Sequence, residues 1–153
     1  MQSPARALYI SISRQELELR DGDEVLETFP VSTSARGIGS EEGSMKTPVG
    51  RFEIAEKIGE GAPLGAVFKS REWTGEIGTE ENPDDLVQTR ILWLHGLDPE
   101  NANTHGRYIY IHGTNHESDI GAPASHGCVR MRNADVAGVF ESVEEGTPVF
   151  IQP

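Results

Sequence analysis

The only cysteine of the 153-residue chain, Cys128, lies in the stretch APASHGCVRM, between His126 and the arginines Arg130 and Arg132. All five histidines fall between positions 95 and 126, so the side chains able to carry chemistry are concentrated in one part of the sequence. A thiolate can attack a carbonyl while a nearby imidazole removes the thiol proton and later returns it. These residue types favour nucleophilic catalysis or metal binding, with an inert buried thiol as the third reading.

The best histidine partner for the thiol is His112, which follows the strand-like stretch YIYI and precedes Gly113. Cys128 itself follows Gly127, so a strand end and a glycine-containing turn could bring the two side chains together. A glycine before the nucleophile removes side-chain bulk and lets nearby amides point at a developing oxyanion. The flanking histidine and arginines add positive charge, which would lower the thiol pKa and attract a carboxylate.

A metal site is the alternative, built from four histidines with or without the cysteine: His105, His112, His116, His126 and Cys128. The spacing H-x6-H-x3-H matches neither a helical H-E-x-x-H motif nor a C-x2-C framework, so the sequence favours catalysis without a metal. The residues alone leave the nucleophile and the inert thiol both open. His95 and His105 are expected to be structural or surface residues, and His116 to lie in a loop near the cleft.

The elements that must position these side chains are mostly β-strands. ALYISIS and QELELR alternate apolar and polar residues with the period of half-buried strands, and Asp21-Gly22 joins them to EVLETFPVST in a meander. TRILWLHGL and GRYIYIHGT are expected to be core strands, and TPVFIQP a final strand. The one convincing helix follows Met131, with Asn133 as its N-cap and Gly146 beyond its end.

Two polar segments are expected to be loops. Residues 34–50, rich in glycine, serine and charge, predict an exposed loop or lid, and they lack the order of a phosphate-binding loop. Residues 75–86 carry several acids and an Asn-Pro turn signal, but lack the ligand spacing of a calcium loop, so they predict a solvated loop.

Composition narrows the class of protein. A hydrophobic fraction of 36% indicates one globular domain over residues 1–153, and the net charge of −12 argues against a nucleic-acid or anionic-membrane surface. A single cysteine cannot form an internal disulfide. The sequence as written shows no leader and no apolar span, which predicts a cytoplasmic location, or a periplasmic one if a leader has been removed.

Two stretches together resemble the L,D-transpeptidase catalytic domain family, also called YkuD-like. YIHGT is followed after a loop by SHGCVRM, and TPVGRFEI is similar to the family's Thr-Pro-x-Gly-x-Phe turn into a strand. The resemblance implies a mainly β, sandwich-like fold of mixed sheets with one late α-helix and no cofactor. It also implies a peptidoglycan stem peptide or muropeptide as the binding partner, and no nucleic acid or membrane.

The resemblance implies roles for the motif residues. Cys128 would be the nucleophile and His112 the base, oriented by the Gly113 carbonyl, while His126 and the amides of Gly127 and Cys128 would line the oxyanion site.

Substrate binding would fall to three further residues. Arg130 would hold a substrate carboxylate, and Ser125 and Tyr110 would be further substrate-binding residues.

The implied reaction cleaves the bond between meso-diaminopimelate and D-alanine in a stem tetrapeptide through a thioester. With water as acceptor the enzyme is an L,D-carboxypeptidase, and with an amine it forms 3-3 cross-links. GIGSEEGS, IGEGAPLG and TRILWLHGL resemble short leaderless members that trim recycled muropeptides in the cytoplasm, which favours water. A carbapenem adduct on Cys128 is expected. A His-rich metal-dependent hydrolase and an inactive peptidoglycan-binding domain are the alternatives from other classes.

Overall fold

A computed structural model describes residues 5–153 of the chain. Ten strands are hydrogen-bonded into one mixed sheet, and a single α-helix follows the ninth strand. The elements are β1 (Arg6–Ser11), β2 (Glu16–Asp21), β3 (Glu24–Pro30), β4 (Gly50–Ile58), β5 (Ala66–Lys69), β6 (Glu72–Ile77), β7 (Val87–Gly96), β8 (Tyr110–Gly113), β9 (Val129–Met131), α1 (Asn133–Ser142) and β10 (Pro148–Gln152). The mainly β fold with one late helix is confirmed.

The first three strands form the expected antiparallel meander. Leu8 and Ile10 of β1 and Leu17 and Leu19 of β2 are buried, as the alternation predicts, because every second side chain of a strand faces the core. β10 then pairs in parallel with β1 and antiparallel with β4, which ties the end of the chain to its beginning.

The central strand β7 is buried on both faces, which explains the uninterrupted apolar run ILWL at residues 91–94. It pairs with β4, β5 and β8. Leu92 and Leu94 belong to the main core cluster, whereas Ile91 and Trp93 belong to a second, smaller cluster. Cys128 packs against that second cluster, so its thiol lies on the face of the sheet opposite the main core.

The strands β8 and β9 are parallel neighbours, which brings the two halves of the sequence motif together. Ile111 pairs with Val129 and His112 with Arg130. Because side chains alternate along a strand, Ile111 and Val129 face the main core while His112 and Arg130 share the opposite face. Continuing the register by one residue sets Cys128, which directly precedes β9, beside Tyr110.

The helix begins one residue earlier than the sequence predicts. Arg132 occupies the N-cap and Asn133 is the first helical residue. The Asn133 amide donates to the Glu117 carboxylate at 2.6 Å, and its side-chain oxygen accepts from the Thr89 hydroxyl at 2.6 Å. A neighbouring carboxylate thus caps the helix, which leaves the asparagine side chain free to join the helix to β7. No helix in residues 5–153 is long and apolar enough to cross a membrane.

Both polar segments are more ordered than a solvated loop. At the ends of the first, Ser34 and Thr47 are buried against the cysteine turn, so the prediction of an exposed loop holds only for its middle. The second begins inside β6, and beyond it the buried Asn115 side chain donates to the carbonyls of Thr79, Asn82 and Asp84, each at 3.1 Å. Carbonyl groups of this loop accept hydrogen bonds from a protein side chain, and the end of the loop is held beside the candidate site.

Candidate active site

The thiol of Cys128 is partly exposed and has two backbone partners. The Tyr110 amide donates to Sγ at 3.3 Å, and Sγ donates to the Tyr108 carbonyl at 3.4 Å. A carbonyl can only accept a hydrogen bond, so the second contact requires a protonated thiol. Burial raises the pKa of Cys128 to about 11, opposed in part by the Tyr110 amide, so the resting group is neutral at pH 7.

The imidazole of His112 is buried, with 3% of the residue exposed, and lies 2.5 Å through Nδ1 from the carbonyl oxygen of Gly113. Because that oxygen only accepts, Nδ1 carries the proton and Nε2 is left as the basic nitrogen. Burial lowers the pKa of His112, so the ring is neutral at pH 7. The contact predicted for the Gly113 carbonyl is present, and its use in catalysis stays a prediction.

The thiol and the imidazole are each neutral at pH 7, rather than a thiolate and an imidazolium. A neutral imidazole beside a neutral thiol can act as a general base, taking the proton as sulfur attacks. Gly113 is needed here for space, because a Cβ at this position would lie 2.2 Å from Asn133 Oδ1 and 2.7 Å from the Gln88 carbonyl oxygen. A side chain there would push apart β7, β8 and the start of the helix.

The turn that carries the cysteine is held by hydroxyl groups. The buried Ser125 hydroxyl donates to the Cys128 carbonyl at 2.6 Å and accepts from the Gly127 amide at 3.3 Å. Gly127 has a φ of 128°, a backbone conformation that residues with side chains rarely adopt. The Thr47 hydroxyl donates to the Gly127 carbonyl at 2.9 Å, and accepts from the Ser34 amide at 2.9 Å. These bonds fix the direction in which the thiol points.

Ser125 and the Gly127 amide, both predicted to contact the substrate, make hydrogen bonds within this turn. Ser125 is buried and shapes the backbone, while substrate contact by Ser125 stays a prediction. The Gly127 amide, predicted to face an oxyanion, donates to the Ser125 hydroxyl. Tyr110 lies beside the thiol through its amide, and its ring meets His112 edge to face with centroids 6.4 Å apart.

Arg130 is placed differently from the sequence expectation that it holds a substrate carboxylate. The residue is 1% exposed, and its guanidinium lies 2.9 Å from an Asp85 oxygen and 3.4 Å from an Asp119 oxygen. It also donates to the Ser32 hydroxyl at 3.2 Å. A buried charge requires partners from the protein, and here the partners are two carboxylates. A substrate carboxylate would have to displace one of them.

His126 is exposed and lines the cleft that contains Cys128. Its Nδ1 lies 3.3 Å from the second Asp85 oxygen, so Asp85 links His126 to Arg130. The cleft has a volume of about 330 Å³ and also contains Arg107 and Tyr108. Its size suits part of a peptide side chain or a terminal residue.

Sequence reasoning missed three residues of this neighbourhood: Asp85, Arg107 and Tyr108. Asp85 lies two residues before the start of β7, a position at a strand end that could have singled it out. Arg107 donates to the Lys46 carbonyl at 2.8 Å, and its charge lowers the pKa of Cys128. Nothing in the local sequence indicates that Arg107 reaches the thiol.

The remaining histidines do not gather around a metal. His95 is exposed, His105 stacks on Trp93 with ring centroids 3.9 Å apart, and His116 lies 2.7 Å from the Asn82 carbonyl. Within the part of the chain that the structure describes, no three His, Cys, Asp or Glu side chains are grouped as a metal site.

Fold and site together define a class: a mainly β domain in which the buried imidazole of His112 lies on β8 and the thiol of Cys128 directly precedes the parallel neighbour β9. The model of the family described as "L,D-transpeptidase catalytic domain" matches residues 5–151. The chain therefore belongs to the L,D-transpeptidase catalytic domain family.

Curated relatives and solved structures are similar to the chain. It is 40% identical over 105 residues, 69% of its length and 51% of the relative's, to "Putative L,D-transpeptidase YqjB" of Bacillus subtilis. It is 32% identical over 78% of its length, and 32% of the relative's, to "Probable L,D-transpeptidase YbiS" of Escherichia coli. The chain thus spans about half or less of these two proteins. The structure of L,D-transpeptidase 3 from Mycobacterium tuberculosis in complex with a faropenem-derived adduct has the same fold, with a TM-score of 0.62. The two sequences are 19% identical, and the match covers 98% of this chain and 61% of that one.

Proposed function

We propose that the chain is a cysteine-dependent acyl-transfer enzyme that cleaves the bond between meso-diaminopimelate and the terminal D-alanine of a peptidoglycan stem tetrapeptide. Family membership supports the peptidoglycan peptide as substrate class. The observation that carries the proposal is the pairing of β8, which carries His112, with β9, which Cys128 directly precedes, together with a neutral thiol and a neutral, oriented imidazole.

In the proposed reaction the Cys128 sulfur attacks the carbonyl carbon of the scissile amide while His112 takes the thiol proton. His112 then gives that proton to the leaving nitrogen, D-alanine departs, and a thioester remains on the sulfur. Water, deprotonated by the same imidazole, hydrolyses the thioester and regenerates the thiol. His126 and the amides around Gly127 and Cys128 would face the oxyanion. A charged intermediate requires such donors, although the Gly127 amide would have to leave the Ser125 hydroxyl.

We favour water as the acceptor, which makes the enzyme an L,D-carboxypeptidase. Cross-linking of a second stem peptide is the second candidate, and the names of the relatives YqjB and YbiS support it. Both reactions share the acyl-enzyme. A peptidoglycan peptide is the proposed partner in either case, and a cytoplasmic role in trimming recycled muropeptides belongs to the first.

The test is the product profile from a disaccharide-tetrapeptide, measured by mass spectrometry with and without an acceptor stem peptide. Tripeptide and free D-alanine in both incubations support the carboxypeptidase, and a dimer formed only with the acceptor supports cross-linking. No product in either incubation would refute the enzyme. A carbapenem is expected to add its mass to Cys128, by analogy with the faropenem-derived adduct of the mycobacterial structure.

A further inference from the structure

A second cavity, with a volume of about 350 Å³, adjoins the cleft of Cys128 and shares Tyr108 with it. Ser70, Arg71 and Tyr110 line it together with apolar side chains that include Phe68. Arg71 is the only positively charged side chain in this lining. A cavity with apolar walls and one fixed cation suits a ligand that carries one negative charge.

The guanidinium of Arg71 is held by aromatic rings, and Glu56, the acid whose charge acts on it, lies beyond ion-pair distance. Its central carbon lies 4.8 Å from the ring centroid of Trp93 and 5.3 Å from that of Tyr108. It donates to the Tyr110 hydroxyl at 3.3 Å. Between residues 5 and 153, no carboxylate lies within 4 Å of it, although the chain carries 25 acids against 13 bases. Stacking fixes the plane of a guanidinium and leaves donors at its edge available to a carboxylate.

The turn that presents Arg71 is unusual. Ser70 and Arg71 form the two-residue turn between β5 and β6, with φ values of 48° and 65°. Glycine and asparagine are the usual residues in such turns, and other residues in the left-handed region cost about 1 kcal/mol or more each. Of the six non-glycine residues with positive φ in residues 5–153, four line one of the two cavities: Met45, Ser70, Arg71 and Tyr108. Strain of this kind is concentrated at ligand sites.

Tyr110 connects this cation to the reactive thiol. Its amide donates to Cys128 Sγ at 3.3 Å, and its hydroxyl accepts from Arg71 at 3.3 Å. The cation is therefore separated from the nucleophile by the length of one tyrosine. A peptide that places its scissile carbonyl at the sulfur can reach Arg71 with a carboxylate one residue away.

We propose that Arg71 binds a free carboxylate of the peptide substrate in the second cavity and so selects peptides with an ionised end. This proposal rests on the proposed function for the identity of the peptide. It replaces Arg130 as the anchor, because Arg130 already faces Asp85 and Asp119 whereas Arg71 has no acid partner within ion-pair distance among the described residues. The carboxylate belongs either to the leaving D-alanine or to an acceptor amino acid, and the two sources can be separated.

The experiment compares a tetrapeptide ending in free D-alanine with the same peptide ending in D-alanine amide. In Arg71→Gln we expect KM for the free acid to rise about 10- to 100-fold, the loss of a hydrogen-bonded charge pair, with KM for the amide unchanged. Arg71→Lys should restore part of the affinity, because it keeps the charge but loses the planar fork. In a second arm, D-alanine and D-alanine amide are compared as acceptors. If Arg71→Gln changes the preference for acid over amide in that arm alone, the carboxylate belongs to the acceptor.

The matched control is Arg14→Gln, since Arg14 lies in the turn between β1 and β2 and lines neither cavity. Equal kinetics for acid and amide in the wild type in both arms, or an equal loss for both in Arg71→Gln in both arms, would overturn the proposal. Binding of both peptides to Cys128→Ala, with and without Arg71→Gln, needs no turnover. Discrimination in binding without any D-alanine release would refute the proposed reaction and keep the carboxylate site. Release of D-alanine without discrimination between acid and amide would support the proposed reaction and refute the carboxylate site.

Discussion

The backbone amide of Tyr110 donates a hydrogen bond to the sulfur of Cys128, at 3.3 Å. This contact exists because β8 and β9 run parallel with His112 opposite Arg130, which sets the cysteine beside Tyr110. The same pairing places the His112 imidazole two residues further along β8, on the same face. One strand register therefore fixes the positions of the thiol, its amide donor and the proposed base together.

The pH dependence of thiol alkylation tests the neutral state of the pair. With a pKa of about 11, Cys128 is about one part in 10⁴ thiolate at pH 7, so iodoacetamide should react slowly and about tenfold faster per pH unit from 8 to 10. Since the chain has one cysteine, mass spectrometry assigns the signal without ambiguity. The urea-unfolded chain is the control, and its rate should level off above about pH 9. A fast rate that is already level at pH 7 would show a preformed thiolate and contradict the neutral pair.

Replacing the imidazole tests the base. His112→Gln should lower kcat by about 10²- to 10⁴-fold, because sulfur would have to attack without proton transfer. In the wild type kcat/KM should stay level as pH falls through 6.5 and drop only below it, since burial lowers the pKa of His112 and keeps the base neutral. His95→Gln, at an exposed position, should leave kcat and the pH dependence of kcat/KM unchanged. An unaltered kcat in His112→Gln would exclude His112 as the base.

Sequence alone predicts a large part of this site. Alternation identifies the core strands, and the resemblance of YIHG and SHGC to the family motif indicates that the thiol of Cys128 and the imidazole of His112 belong to one site. The sequence cannot show that Arg130, in the middle of a buried strand, needs acid partners and finds Asp85 at a distance of 45 residues. It also does not show Arg71, whose position depends on a strained turn and on stacking with Trp93.

The hydroxyl of Thr47 should matter for stability and for turnover. Thr47→Val removes the donor to the Gly127 carbonyl and the acceptor for the Ser34 amide, both buried, and should lower the free energy of unfolding by about 1–3 kcal/mol. We expect activity to fall in addition, because the cysteine turn loses a restraint. The control is Thr28→Val on the exposed strand β3, and urea unfolding gives the comparison. Equal stability of the two variants would refute the role of the Thr47 hydroxyl.

Two glycine substitutions should change the free energy of unfolding in opposite directions. Gly113→Ala places a methyl group 2.2 Å from Asn133 Oδ1 and 2.7 Å from the Gln88 carbonyl oxygen, and should cost about 1–3 kcal/mol of stability with a loss of activity. Gly138 lies inside the helix with open space around its Cβ position, so Gly138→Ala should stabilise by about 0.5–1 kcal/mol. Thermal unfolding of both variants is the measurement. A Gly113→Ala protein as stable and active as wild type would show that the close approach at β8 is unnecessary.

The central claim is that Cys128 carries the acyl group. Intact-protein mass spectrometry during turnover of a disaccharide-tetrapeptide measures this directly, with Cys128→Ala as the control that keeps the fold and lacks only the sulfur. The account predicts a transient adduct equal to the substrate minus D-alanine, located on Cys128, and no adduct and no D-alanine release in Cys128→Ala. Release of D-alanine by Cys128→Ala at the wild-type rate would contradict it.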